Sequence, residues 1–136
     1  MNEEADLTRI HWTILVSALV LAGPASAESF KTEKVEIDVS PIASGLEEPW
    51  AVEVLPDGAF IVTEKAGRLR IIRDGKVSDP IDGVPEVAVR GQGGLLDVAL
   101  SPDFANNRTL FLTASLPMDG GAGTGVIRAR LSQDER

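Results

Sequence analysis

Gly91-Gln92-Gly93-Gly94-Leu95-Leu96 is the stretch whose residue types come closest to chemistry. Three glycines around one uncharged polar side chain, directly before an apolar run, let the backbone approach a flat ligand closely. Gln92 meanwhile offers both a donor and an acceptor. Such a group can orient a hydroxyl of a polyol without setting a charge beside a reacting centre. The same residues also read as a glycine-rich turn at the start of a strand, with Gln92 in solvent. Spacing alone leaves both readings open.

Other residues carry thinner signals. Asp97 stands in an otherwise apolar run, where a lone carboxylate needs a partner. A structural hydrogen bond to turn backbone is the expectation, and a place near a site is the sharper alternative. Trp50, after Pro49, reads as a packing residue at the start of a strand or as the wall of a ligand channel. Arg68 and Arg70 alternate with Leu69 and Ile71, the pattern of a strand with one solvated face, and are expected on the surface rather than around an anion. Gly120–Gly125 has neither a following lysine nor a helix signal, which removes a phosphate loop and leaves a flexible hairpin loop. Asn107-Arg108-Thr109 fits a glycosylation acceptor only by accident of sequence.

What is missing constrains the chemistry as firmly. The chain has no cysteine, which excludes disulfides, thiolate metal sites and cysteine nucleophiles. Its single histidine, His11, precedes Ile14–Ala22, an apolar run about half as long as a bilayer crossing requires. That run ends at Gly23-Pro24-Ala25-Ser26-Ala27, small residues spaced as at a signal-peptidase site. Residues 1–27 therefore read as a signal peptide cut after Ala27, and His11 leaves with it. Glu3, Glu4 and Asp6 are out of place in the positive n-region of such a segment, and they point to translation starting near Leu7. The formal charge of −8 argues against a nucleic-acid partner. Export without cysteines points to a bacterial periplasmic or secreted protein held by packing, with no stable membrane span after cleavage.

The elements that must position these residues are strands. Val35–Val39, Ala51–Leu55, Phe60–Glu64, Leu69–Ile72, Leu95–Leu100, Leu110–Ala114 and Val126–Leu131 are short β-rich runs between turn signals, and no helix-period pattern intervenes. Pro56-Asp57-Gly58, Asp74-Gly75 and Asn106-Asn107 have the composition of reversals. The fold class is all-β. Trp50–Asp57 aligns with Leu96–Asp103 at an offset of 46, and Phe60–Thr63 with Leu110–Thr113 at an offset of 50, the second copy carrying four extra residues. A repeat of that length with about four strands per unit is the signature of a β-propeller blade; a seven-stranded sandwich or barrel is the rival. Residues 28–136 hold about two blades and stop directly after a strand, so they read as the front of a longer, incomplete propeller.

Taken in order, Gly45-Leu46, Pro49-Trp50, Leu55-Pro56-Asp57-Gly58, Val62-Thr63-Glu64, Gly67-Arg68-Leu69-Arg70, the Gln92 motif and Pro102-Asp103-Phe104 resemble the opening of the glucose/sorbosone dehydrogenases. The aspartate of Leu95-Leu96-Asp97-Val98 is most similar to the periplasmic aldose sugar dehydrogenase branch. The resemblance implies a six-bladed propeller that uses pyrroloquinoline quinone (PQQ) and calcium to oxidise an aldose at its anomeric carbon to a lactone. Electrons then pass to an external acceptor. It also implies that Gln92 lies beside substrate and cofactor, with Gly91, Gly93 and Gly94 as backbone support. The histidine base and the calcium ligands are implied to lie beyond Arg136, so no catalytic or metal residue is assigned within the chain. Alone, this incomplete opening is expected to be inactive and to associate with itself through open strand edges; the competing expectation is a non-catalytic exported binding module or truncated remnant.

Overall fold

The structure, a computed structural model, describes residues 27–135. The expected signal peptide and His11 fall outside them, apart from Ala27. β1 (Glu28–Lys31) and β2 (Glu36–Val39) form a separate, exposed hairpin. β3 (Pro49–Val54), β4 (Phe60–Glu64), β5 (Arg68–Arg73) and β6 (Lys76–Val77) follow as a four-stranded meander. β7 (Leu95–Leu100), β8 (Thr109–Met118) and β9 (Gly121–Arg130) form a three-stranded one, with α1 (Phe104–Asn107) between β7 and β8. All pairings are antiparallel. The chain is all-β as its run pattern requires, although the second unit has three strands rather than four.

The reversals follow from their residues. Gly58 takes φ +87°, and Asp57 Oδ1 accepts the Ala59 N–H at 3.1 Å. Asp74 and Gly75 both adopt positive φ, the geometry of a tight two-residue hairpin whose twist matches its strands. Asn106-Asn107, expected as a plain reversal, instead closes α1, and the left-handed position falls on Arg108 at φ +50°. The four residues of α1 match the length inserted into the second repeat copy, so the insertion is absorbed as one helical turn.

The repeat has a physical basis in its threonines. Both units carry a register shift on their first strand, between Pro49 and Ala51 and between Leu95 and Val98. In each, the threonine of the second strand repairs the interrupted ladder: Ala51 N–H donates to Thr63 Oγ1 at 3.0 Å, and Asp97 N–H to Thr113 Oγ1 at 2.9 Å. A bulge leaves one backbone donor without its ladder partner, and a hydroxyl one strand away supplies the acceptor.

The core lies between the meanders. Ile61, Leu69 and Ile71 meet Leu95, Val98, Leu110, Leu112 and Ala114 there, closed at one end by Leu55, Phe104 and Leu131. Each of the larger of these side chains contributes about 1.5–3 kcal/mol by leaving water. Thr63 Oγ1 crosses this layer and donates to the Leu96 carbonyl at 2.5 Å.

Gly120–Gly125, expected as a flexible loop, is the main correction. Only Asp119-Gly120 forms the turn, and Gly121 onward pairs with β8 residue by residue. Gly123 and Gly125 lie opposite Leu116 and Ala114 in the ladder. A Cβ on Gly123 would stand 2.6 Å from Met118 Sδ, and one on Gly125 2.8 Å from Leu116 Cδ1. These glycines make room for β8 side chains that fold across the strand.

Candidate functional site

The functional candidates gather at one end of the two meanders, where β4 turns into β5 and where β3 and β7 begin. The Gln92 loop joins this end through backbone. Leu95 N–H donates to the Lys65 carbonyl at 2.9 Å, Ser115 N–H to the Gly94 carbonyl at 2.8 Å, and Ala88 N–H to the Ser115 carbonyl at 2.7 Å. The close approaches permitted by Gly93 and Gly94 are made by the chain itself. A Cβ on Gly94, at φ +149°, would lie 2.3 Å from the Lys65 carbonyl oxygen; one on Gly93 would lie 2.8 Å from Ser115 Oγ and 2.9 Å from the Ala88 carbonyl oxygen. Gly91 holds φ +58° with open space around it. Between these pinned glycines Gln92 is exposed, and Arg90, also exposed, forms no ion pair among the described residues.

Sequence reasoning missed Glu64. Its side chain is fully buried at the end of β4 and accepts three donors: Glu47 N–H at 2.6 Å, Arg68 Nε at 2.5 Å and Arg70 Nη1 at 3.5 Å. Burial pushes its carboxyl up, but the Arg68 hydrogen bond, the Glu47 N–H and the charges of Arg68 and Arg70 outweigh that and hold it below the ordinary 4.5. Arg68 also donates to Glu47 at 2.6 Å, and its guanidinium is held above its usual range, chiefly by Glu64. Arg68 and Arg70 do alternate on a strand as expected, but the face they share surrounds an anion, which corrects their assignment to plain surface. The signal was present in Glu64-x-x-x-Arg68-x-Arg70: a hairpin reversal between the carboxylate and the arginines returns all three to neighbouring strand positions, as the pairing of Glu64 with Arg68 shows. The cluster fixes the approach to β3, because Glu64 holds Glu47 while Lys65 N–H donates to the Glu48 carbonyl at 3.0 Å. Lys65 Nζ adds a 3.7 Å contact to the Glu48 carboxylate.

Trp50 is not enclosed by packing: it is half-exposed on the β3 bulge and lines an open groove with Ile42, Leu46, Val52, Phe60 and Val62. Asp97 does bond to backbone, but to a strand N–H rather than a turn, since its Oδ1 accepts the adjacent Val98 N–H at 3.0 Å while the residue stays exposed. The Asn107 amide is engaged in its own turn, donating to Ser101 Oγ and accepting Thr109 N–H. Among the described residues no group of three or more His, Cys, Asp or Glu could hold a metal ion, and no helix is long and apolar enough to cross a membrane.

Aldose sugar dehydrogenase YliI of Escherichia coli K12 is 41% identical over 124 residues, an alignment covering 89% of this chain and 31% of that protein. The soluble aldose sugar dehydrogenase of E. coli, solved in its apo form, superposes with a TM-score of 0.63 at 48% identity over 66% of this chain and 27% of its own. The PQQ-bound aldose sugar dehydrogenase of Streptomyces coelicolor gives 0.62 at 25% identity, over 83% of this chain and 31% of its own. The chain thus spans about a third of the length of the relatives it matches. The glucose/sorbosone dehydrogenase family matches residues 46–136, from the loop held by Glu64 through both meanders and the Gln92 motif, and the chain belongs to that family.

Proposed function

We propose that this chain supplies the opening two blades of a six-bladed, PQQ-dependent aldose dehydrogenase of the periplasm, with Gln92 facing the reacting centre. The observation that carries the reading is the placement of Gln92: an exposed, neutral donor and acceptor on a loop whose flanking glycines are locked against Lys65 and Ser115. A group held by its neighbours rather than by its own contacts can orient a sugar hydroxyl at little entropic cost. Two consecutive antiparallel meanders, with β7 packed beside β3 and β4, support the blade assignment.

PQQ, when bound, supplies the two-electron acceptor that takes hydride from the anomeric carbon. The residues here fit one edge of such a group. Gln92 offers its amide, and Arg90 offers a cation to an acidic, flat molecule, whereas Arg68 and Arg70 are tied to Glu64 and Lys65 to Glu48. No calcium ligand is assigned in this portion. Residues 27–135 contain no histidine, so the imidazole that takes the hydroxyl proton, and most of the cofactor cradle, must come from other blades.

A chimera tests this directly. Residues 28–136 are exchanged for the matching opening of the E. coli aldose sugar dehydrogenase. Dye-linked aldose oxidation that depends on added PQQ is then expected, and Gln92→Ala lowers kcat/KM by about 10- to 100-fold, the value of one hydrogen bond to a reacting, partly charged group. Retained rates in the folded Gln92→Ala chimera return Gln92 to a solvated turn. A folded chimera without oxidation supports the binding-module reading instead.

A further inference from the structure

We propose that Glu64 is a positioning residue for Gln92, acting through an unbroken line of contacts that ends on the loop carrying the amide. The line starts at the buried carboxylate, which accepts the Glu47 N–H at 2.6 Å. Glu48 comes next, held at φ +46° although it is not a glycine and stands before Pro49, both of which favour extended backbone. Its carbonyl accepts the Lys65 N–H at 3.0 Å, and its carboxylate lies 3.7 Å from Lys65 Nζ. The Lys65 carbonyl in turn accepts the Leu95 N–H at 2.9 Å. The carbonyl of that same peptide, at Gly94, accepts the Ser115 N–H at 2.8 Å, and the Ser115 carbonyl accepts the Ala88 N–H at 2.7 Å. Both ends of the loop from Ala88 to Gly94 are thereby tied to one residue, and the far end of the line is the Glu64 carboxylate.

Gln92 needs such support because its own side chain forms no hydrogen bond among the described residues. It sits in a turn closed by the Gly93 N–H on the Arg90 carbonyl at 2.8 Å, with Gly91 at φ +58°. The direction of its amide is therefore set by the loop alone. A strained segment keeps its conformation only while its surroundings over-determine it. Without the Glu64 carboxylate, the Glu47-Glu48 segment is free to relax toward extended backbone, which withdraws the Glu48 carbonyl from Lys65. Lys65 is the residue stacked on Gly94: a Cβ there would lie 2.3 Å from its carbonyl oxygen and 2.8 Å from its Cγ. Slack in the Lys65 peptide thus passes directly to the Gln92 loop. The kinetic consequence rests on Gln92 facing the reacting centre; the loosening of the loop does not.

Arg90, exposed within the loop, gives trypsin a site that reports on it, and Arg128 in β9 gives an internal reference. In the full chain, Glu64→Ala is expected to raise cleavage after Arg90 about 10-fold relative to cleavage after Arg128. Glu64→Gln, which keeps an acceptor for the Glu47 N–H, is expected to restore most of the wild-type ratio. Leu131→Ala, which loses buried contacts at the opposite end, is expected to leave the ratio unchanged. Should the alanine variant fold poorly, Glu64→Asp takes its place, since its carboxylate stays beside the arginines but is one methylene short of the Glu47 N–H. In the chimera with the E. coli enzyme, the same Glu64 variant is expected to lower kcat/KM about 10-fold, but less than about twofold where Gln92 is already alanine. A trypsin ratio insensitive to Glu64, or raised equally by Leu131→Ala, overturns the proposal, as does a full 10-fold loss that persists in the Gln92→Ala background. If Gln92→Ala by itself leaves the rate unchanged, the reading of Gln92 fails, and the trypsin ratio alone decides whether Glu64 positions the loop.

Discussion

Replacing Glu64 by alanine should be the most damaging single change at this end of the fold. It removes the acceptor of three donors at once and leaves Glu47 N–H, Arg68 and Arg70 to find others. Breaking a buried charge pair by deleting one partner costs about 3–5 kcal/mol. Arg68 keeps its 2.6 Å contact to Glu47 and its side chain is 30% exposed, so part of that charge is rescued, and the lower end, about 3 kcal/mol, applies. Glu64→Gln retains the shape and an acceptor for Glu47 N–H, and should lose about half as much. Urea titration followed by far-ultraviolet circular dichroism at neutral pH measures both variants. Because the folded carboxyl titrates below its unfolded value of 4.5, the stability it provides is fully present above that value and is lost as pH falls through the folded pKa. Below pH 4.5 the wild-type chain should therefore lose its advantage over Glu64→Gln. An alanine variant within 1 kcal/mol of wild type, or a gap to glutamine that is constant down to pH 3, would refute the assignment of Glu64 as the charged anchor of this end.

Gly94→Ala should cost at least about 2 kcal/mol through backbone strain and collision with the Lys65 carbonyl, while Gly91→Ala, with open space, costs about 1 kcal/mol; thermal melts that rank the two the other way count against the packing account of the motif. Thr63→Val should destabilise about twice as much as Thr113→Val, because it loses two hydrogen bonds rather than one, near 1 kcal/mol each; chemical denaturation of both variants gives the comparison. Expressed with its leader in a bacterial host, the chain should be cut between Ala27 and Glu28; a mature mass starting more than a residue or two away from Glu28 contradicts the signal-peptide assignment.

Local pattern carried much of this protein. Short β-rich runs between turn signals named β4 and β7 to the residue and β3, β5 and β8 to within a few positions, since strand patterning and turn chemistry are properties of short segments. The repeat exposed two like units, and the ordered motifs led to the family. What lay beyond reach involved partners distant along the chain or across a ladder. Nothing in Gly121–Gly125 says strand until the bulky side chains of β8 need space opposite them. Gln92 sits in a loop whose glycines make sense only against Lys65 and Ser115, more than twenty residues away on either side. Arg68 and Arg70 read as surface because arginines alternating with leucine and isoleucine ordinarily are, and only the β4–β5 register swings them around Glu64. A buried charge is invisible in one dimension because burial is decided by what the rest of the chain places over it, and tertiary structure alone settles that.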